Sequence, residues 1–238
     1  MKKVLIIIPA YNEEGNIKKT VQKIIDYKKK SKYEIDYVVI NDGSKDDTEK
    51  ICKENNYNVI TLVENLGIGG AVQTGYIYAN RNNYDVAIQF DGDGQHDENY
   101  IDNLVKEIEK GSNFVIGSRF IKELSEFKST KMRRLGINIL SLLIKICTGK
   151  TIKDPTSGFR AADKNIIKYF ATVYPTEYPE PESTVDIIRK NFKITEIPVK
   201  MYERENGTSS IKMFKSVYYM LSVSIAIIIT SLYKEDKK

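Results

Sequence analysis

Short runs of β-branched and aliphatic residues alternate along the chain with longer stretches in which apolar positions recur every three or four residues. VLIII (Val4–Ile8), YVVI (Tyr37–Ile40), VITLV (Val59–Val63), DVAIQF (Asp85–Phe90) and FVIGS (Phe114–Ser118) predict strands. Between them Ile17–Lys29, Thr48–Asn55, Gly70–Asn80 and Asn99–Glu109 predict helices. This alternation points to βαβ units and a mostly parallel sheet. In such sheets ligands gather beyond the carboxyl ends of the strands. Polar clusters stand at those ends: Pro9–Glu14 after the first strand, Asn41–Ser44 after the second, Glu64–Gly67 after the third and Asp91–Gly94 after the fourth.

Two later segments have a different texture. Lys131–Lys145 mixes basic residues with apolar positions near helical spacing, which suits either a membrane interface or a core helix. Ser216–Tyr233 carries no charge, has tyrosines near both ends and lysines beyond them, and suits a shallow interfacial anchor better than a span. The chain therefore divides into a domain over 1–212 and an apolar helix over 213–238, expected to attach to the membrane surface. The opening MKKVLIII run breaks at Pro9, too early for a signal sequence, and reads as the first buried strand.

Composition narrows this little. With 238 residues, 41% apolar and 29% charged, the chain has the profile of a folded soluble domain. Its 37 Lys and Arg against 32 Asp and Glu give +5, too mild to call for nucleic acid. Cys52 and Cys147 have no metal or disulfide spacing and fit a reducing, cytoplasmic setting.

The densest chemistry is QFDGDGQHD (Gln89–Asp97). A calcium loop is excluded, because His96 stands where the EF-hand needs glycine, Asp102 where it needs glutamate, and a strand precedes it. Two carboxylates on a tight strand-end turn, with Gly92 and Gly94 allowing close backbone approach, suit Mg²⁺ or Mn²⁺ shared with a diphosphate. His96 stays unassigned, since a lone histidine in a polar turn is more often a surface or supporting residue. NLGIGGAVQTG (Asn65–Gly75) opens a helix with glycines, which suits either phosphate contact or close packing; it has neither a dinucleotide fingerprint nor a P-loop lysine.

Taken together, IIPAYNEE, VINDGSKDDT, NLGIGGAVQTG, DGDGQ, GSRF and DPTSGFRA resemble, in the same order, family 2 glycosyltransferases of the GT-A fold. Their closest likeness is to the polyprenyl-phosphate (dolichol-phosphate) mannosyl- and glucosyltransferase branch. The resemblance implies a single α/β, Rossmann-like domain with helices on both faces of the sheet, acting on a UDP- or GDP-linked sugar. It implies nucleotide-binding roles for Pro9, Tyr11, Glu13, Asp42 and Asp91. Asp91, Asp93 and Gln95 would form the metal-binding DxDxQ, with Asp93 catalytic through the metal. Arg119 and Arg133 would bind the acceptor phosphate, and Arg204 would fall in a loop closing over the donor.

The acceptor would be a polyprenyl phosphate at the inner face of the plasma membrane. Two departures keep a sugar hydroxyl of a lipid-linked glycan open: Leu135-Gly136-Ile137 replaces a small polar residue of that branch, and YPTEYPEPE (Tyr174–Glu182) is similar to bacterial cell-surface polysaccharide enzymes. An anionic phosphate needs no base, whereas a hydroxyl does, and Asp154, Glu180 and Glu182 are the candidates. A sugar-phosphate nucleotidyltransferase is the alternative enzyme class, though PAYNEE is acidic where a basic glycine loop would be expected. A non-catalytic adaptor would not be expected to keep all of these acids and arginines.

Overall fold

In the computed structural model, which describes residues 1–121, 131–203 and 213–232, the apolar run at the N-terminus becomes β1 (Lys3–Ala10). It lies between β2 (Glu34–Asn41) and β4 (Val86–Gln89), parallel to both. Val4–Ile8 are wholly buried, which explains why the sequence shows a continuous apolar run rather than alternation: helices cover both faces. Leu5 and Ile7 pack on one side with α3 (Gly67–Arg81) and α6 (Lys164–Phe170). Val4, Ile6 and Ile8 pack on the other with α1 (Ile17–Lys28) and α4 (Ile101–Glu109).

The full sheet has seven strands in the order β3-β2-β1-β4-β6-β5-β7. β3 (Val59–Thr61) follows α2 (Thr48–Glu54) and closes one edge, while β5 (Phe114–Ser118) and β7 (Ile194–Pro198) close the other, parallel to each other. The sheet is mostly parallel, as expected, with one departure that matters for function. β6 (Arg160–Asp163) runs antiparallel between β4 and β5, pairing Arg160 with Gln89. Because it runs backwards, the loop that precedes it arrives at the edge where the other strands end.

α5 (Lys131–Thr148), α7 (Pro179–Arg189) and α8 (Met213–Leu232) form a layer beside this half of the sheet. Val223 and Ile227 of α8 are fully buried in one cluster with Leu140 and Ile144 of α5 and Val185 of α7. Gly136 lets α5 approach closely: a Cβ there would lie 3.1 Å from the Met220 sulfur. The opposite faces are exposed, and both are apolar: Leu135, Ile139, Leu142 and Ile146 on α5, and Leu221, Ile225, Ile228, Ile229 and Leu232 on α8. Among the described residues no helix is long and apolar enough to cross a membrane.

If α8 is anchored through its buried face, Ile227→Ala leaves a cavity in the shared core and lowers stability by about 2–5 kcal/mol, whereas Ile225→Ala stays within roughly 0.5 kcal/mol. Urea denaturation of the two variants checks this; equal effects would mean that α8 is not docked as described.

Candidate active site

The loops after β1 and β2 are laced together through backbone amides and short side chains. Asn12 N donates to Ser44 Oγ (2.9 Å), Glu13 N to Thr48 Oγ1 (2.8 Å) and Glu14 N to Asp46 Oδ2 (3.0 Å), while Lys45 N returns a bond to Asn12 Oδ1 (2.8 Å). Asn12 holds a φ of 54°, a left-handed conformation that asparagine tolerates. Within this frame Pro9 and Glu13 are buried, Glu13 accepts from Asn16 Nδ2 (2.7 Å), and the Tyr11 ring stands out into solvent.

Asp42 is buried at the end of β2 and accepts from Leu66 N at 2.7 Å. Burial pushes its pKa up, opposed by the amides of Leu66 and Gly67. Those are the amides at the start of α3, so the first donors of this helix already face a carboxylate. Gly69 and Gly75 serve packing: a Cβ on Gly69 would collide with the Pro175 and Thr176 carbonyls, and one on Gly75 with Ile7, whereas Gly67 turns the chain with a φ of 76°. Of the two readings of Asn65–Gly75, packing accounts for Gly69 and Gly75.

At the end of β4 the chain turns through Asp91-Gly92-Asp93-Gly94. Gly92 sits against the Pro9 carbonyl, its own carbonyl accepts from Thr20 Oγ1 (3.1 Å), and Gly94 takes a φ of 78°. Asp93 Oδ1 accepts from Gln95 N (3.1 Å). Gln95 Nε2 and main-chain O bind Tyr202 O and N (3.2 and 2.8 Å), tying the turn to the segment after β7. Asp97 caps the following 3-10 turn through Asn99 N (3.0 Å) and also accepts from the Tyr202 hydroxyl (3.1 Å).

Asp91 is surrounded. Gln89 Nε2 donates to its Oδ1 at 3.0 Å. A Cβ on Gly158 would lie 2.6 Å from Oδ2, so only glycine fits beside it. His96, fully buried, accepts from Asp91 N through Nδ1 (3.2 Å), and burial pulls its pKa down to about 4, leaving it neutral. These contacts result from the reversed β6: its register brings Gly158 and Arg160 to the end of β4.

Of the three base candidates, Asp154 is fully buried and bound to Arg119. It accepts from Arg119 Nε (2.7 Å), Nη2 (2.6 Å) and main-chain N (3.0 Å), with its own amide held by Glu196 (2.9 Å). A carboxylate so engaged is an anchor for the guanidinium rather than a proton acceptor, which corrects its assignment as a base. Glu180 and Glu182 lie two residues apart on α7, roughly 200° around the helix. Burial raises both carboxyls, but only Glu180 also feels Arg160, Asp91 and a Gln89 hydrogen bond; Glu182 responds to Tyr178 and Glu177. Glu180 therefore belongs to the Asp91 neighbourhood and Glu182 does not.

Arg160, wholly buried, holds this arrangement by donating to the carbonyls of Glu180 (2.8 Å) and Pro155 (2.8 Å) and to Ser183 Oγ (3.1 Å). Arg119 and Arg134 flank the ring of Phe120, their guanidinium carbons 5.2 and 3.8 Å from its centroid. Arg134 Nη1 is buried and donates to no acceptor among the described residues, while Arg133 is exposed. The geometry thus favours the second arginine of MRRL over Arg133 as the companion of Arg119. Arg204 lies outside the described residues.

The acids suit a hard cation. Asp91, Asp93 and Gln95 offer oxygen donors only. Among the described residues no three His, Cys, Asp or Glu side chains come together to hold an ion by themselves. A divalent ion here would complete its shell with oxygens from a ligand, as Mg²⁺ and Mn²⁺ do with diphosphates.

An acidic turn at the carboxyl edge of a mostly parallel sheet, a reversed strand beside it and a pair of laced loops form a ligand site of the kind found in α/β enzymes. Residues 5–170 match the model of Glycosyl transferase family 2, and the chain belongs to that family. It is 32% identical to a UDP-N-acetylglucosamine–dolichyl-phosphate N-acetylglucosaminyltransferase of Methanococcus voltae, over 94% of this chain and 97% of the relative. It is 26% identical to a polyprenol monophosphomannose synthase of Mycolicibacterium smegmatis, over 87% and 80%. The fold is also that of glucosyl-3-phosphoglycerate synthase from Mycobacterium tuberculosis, solved with Mn²⁺, UDP and phosphoglyceric acid (TM-score 0.70, 15% identity, 98% of this chain and 80% of that one).

Removing the charge of Asp154 tests the anchor role. Asp154→Asn strands the buried Arg119 guanidinium and lowers stability by about 3–5 kcal/mol. Denaturant unfolding checks it; an unchanged midpoint with abolished transfer would return Asp154 to the list of bases.

Proposed function

We propose that this glycosyltransferase moves a sugar from a nucleoside diphosphate to the phosphate of a polyprenyl phosphate, with inversion at the anomeric carbon, on the cytoplasmic face of the membrane. The carrying observation is the placement of Arg134. Its guanidinium, with Nη1 buried, lies over the Phe120 ring that Arg119 also packs against, and it belongs to the helix whose outer face exposes Leu135, Ile139, Leu142 and Ile146. A phosphate headgroup held there would have its isoprenoid chain beside an apolar surface.

The relatives' names, dolichyl-phosphate and polyprenol transferases, support this acceptor, and the UDP and Mn²⁺ of the mycobacterial fold neighbour support the donor. Asp91 and Asp93 would hold Mg²⁺ or Mn²⁺, which when bound neutralises charge on the departing diphosphate. The laced loops after β1 and β2 would hold the nucleoside, with Asp42 and the exposed Tyr11 ring at their rim. Arg119, fixed by Asp154, and Arg134 would orient the acceptor phosphate in line with the anomeric carbon. An anionic oxygen needs no base, in keeping with the engagement of Asp154 by Arg119.

One observation favours a second reading. Glu180 stands near Asp91 with its pKa raised, a fitting state for a base that takes a proton from a sugar hydroxyl. Transfer from a panel of UDP- and GDP-sugars to a short polyprenyl phosphate separates the two. On the first reading Glu180→Gln keeps most of the transfer, while Arg134→Ala weakens use of the acceptor by roughly 10–100-fold, the loss of a charge-assisted hydrogen bond. Loss of transfer in Glu180→Gln with an indifferent Arg134→Ala would favour the hydroxyl acceptor.

Membrane attachment has its own test. The chain should float with vesicles of mixed neutral and anionic lipid, and Ile139→Glu combined with Ile225→Glu should leave it in the soluble fraction. Flotation unaffected by those changes would place the contact elsewhere.

A further inference from the structure

We propose that His96 is a positioning residue for the Asp91 carboxylate, acting as the neutral tautomer with its proton on Nε2. The inference rests on the donor and cation reading above and adds a role for the one histidine of the chain, which that reading does not use. Asp91 N donates to His96 Nδ1 at 3.2 Å, so Nδ1 must present its lone pair. A neutral ring then carries its proton on Nε2, and Nε2 lies 3.5 Å from Asp91 Oδ2. One imidazole thus spans the main chain and the side chain of the same residue.

The ring itself cannot drift. It stacks on Phe159 (centroids 4.8 Å, planes 17° apart) and meets Phe90 edge-on (5.3 Å, 88°). Its backbone forms a bridge with Met201. Phe159 directly follows Gly158, where an added Cβ would lie 2.6 Å from Asp91 Oδ2, while Gln89 Nε2 holds Oδ1. Both carboxylate oxygens therefore have a fixed neighbour, and the side chain is set in one orientation before any cation arrives. Neighbours of this kind that orient metal-binding side chains commonly change metal affinity by about 10–100-fold when removed.

Three substitutions separate this role from plain packing. His96→Phe keeps the ring and its stacking but removes both nitrogens; His96→Asn can present an oxygen near the Nδ1 position; His96→Gln can place its amide near Nε2. In the tag-free, metal-free protein, long-range ¹H–¹⁵N correlation should show the single histidine as the Nε2–H tautomer, and the Asp91 amide should be protected from exchange. His96→Phe should lose that protection and bind Mn²⁺ with UDP on the order of 10-fold more weakly, and His96→Asn should recover both more than His96→Gln.

An Nδ1–H tautomer, or Mn²⁺–UDP affinity in His96→Phe equal to that of the unaltered chain, overturns the inference. So does a loss that follows thermal stability across the three variants without recovery in His96→Asn. If the unaltered chain binds no Mn²⁺–UDP while the tautomer and the amide protection are as described, the donor reading fails, and the role assigned to His96 fails with it.

Discussion

The antiparallel pairing of β6 with β4 is the constraint on which the site depends. In an all-parallel sheet the segment before a strand enters at the amino edge, away from ligands. Reversal of β6, with Arg160 opposite Gln89, delivers Asp154–Gly158 to the carboxyl edge instead. Gly158 then fits against Asp91, Asp154 reaches Arg119, and Arg160 reaches the first turn of α7. A one-residue slip of this strand would turn Arg160 to the other face of the sheet and undo all three contacts.

Burying charge next to charge is tolerable only where each is answered, and the three arginines here are answered differently. Arg119 has a bidentate carboxylate; Arg160 has carbonyl and hydroxyl oxygens; Arg134 has the face of Phe120 and a buried nitrogen with no acceptor among the described residues. The acids divide likewise, Asp91, Asp93 and Glu180 on the β4 side and Asp154 with Arg119 on the β5 side. On the proposed reading the edge has a half that would accept a cation and a half, at Arg119 and Arg134, that would accept an anion. Such segregation suits a reaction in which an anion attacks while another departs, because the two would otherwise repel across the sugar.

The long apolar strands and the helices between them were legible through α4 and β5, since residues such as Val4–Ile8 and Val38–Ile40 are buried by helices on both faces and carry an unbroken apolar signal. β6 was not: RAAD is four residues long and has no period to detect. α7 was hidden by Pro179 and Pro181, which look like breakers but sit in a first turn whose N–H groups need no helical partner. The acidic turn could be read because its chemistry is contiguous. The partnership of Asp154 with Arg119 could not, because 35 residues separate them. Nor could MRRL distinguish Arg133 from Arg134: neighbours on a helix point about 100° apart, and only the placement of Phe120 selects one.

α5 and α8 extend the same logic from site to surroundings. Each must satisfy two environments, and each does so by splitting its apolar residues between two faces, Leu140 and Ile144 or Val223 and Ile227 inward, Leu142 and Ile146 or Ile225 and Ile229 outward. Inward burial fixes the helix on the domain, so the outward face has a set height and angle relative to Arg134 and Arg119. A lipid phosphate must present its headgroup at a defined distance from its chain. A rigid helix that carries the guanidinium at one end and an apolar stripe along its length matches that geometry. A tether on a flexible linker would hold the protein near a membrane without orienting the site toward it. Docking α8 against α5 makes the apolar surface part of the folded domain, so on the proposed reading binding to a bilayer would position the arginine side of the site as well as the protein.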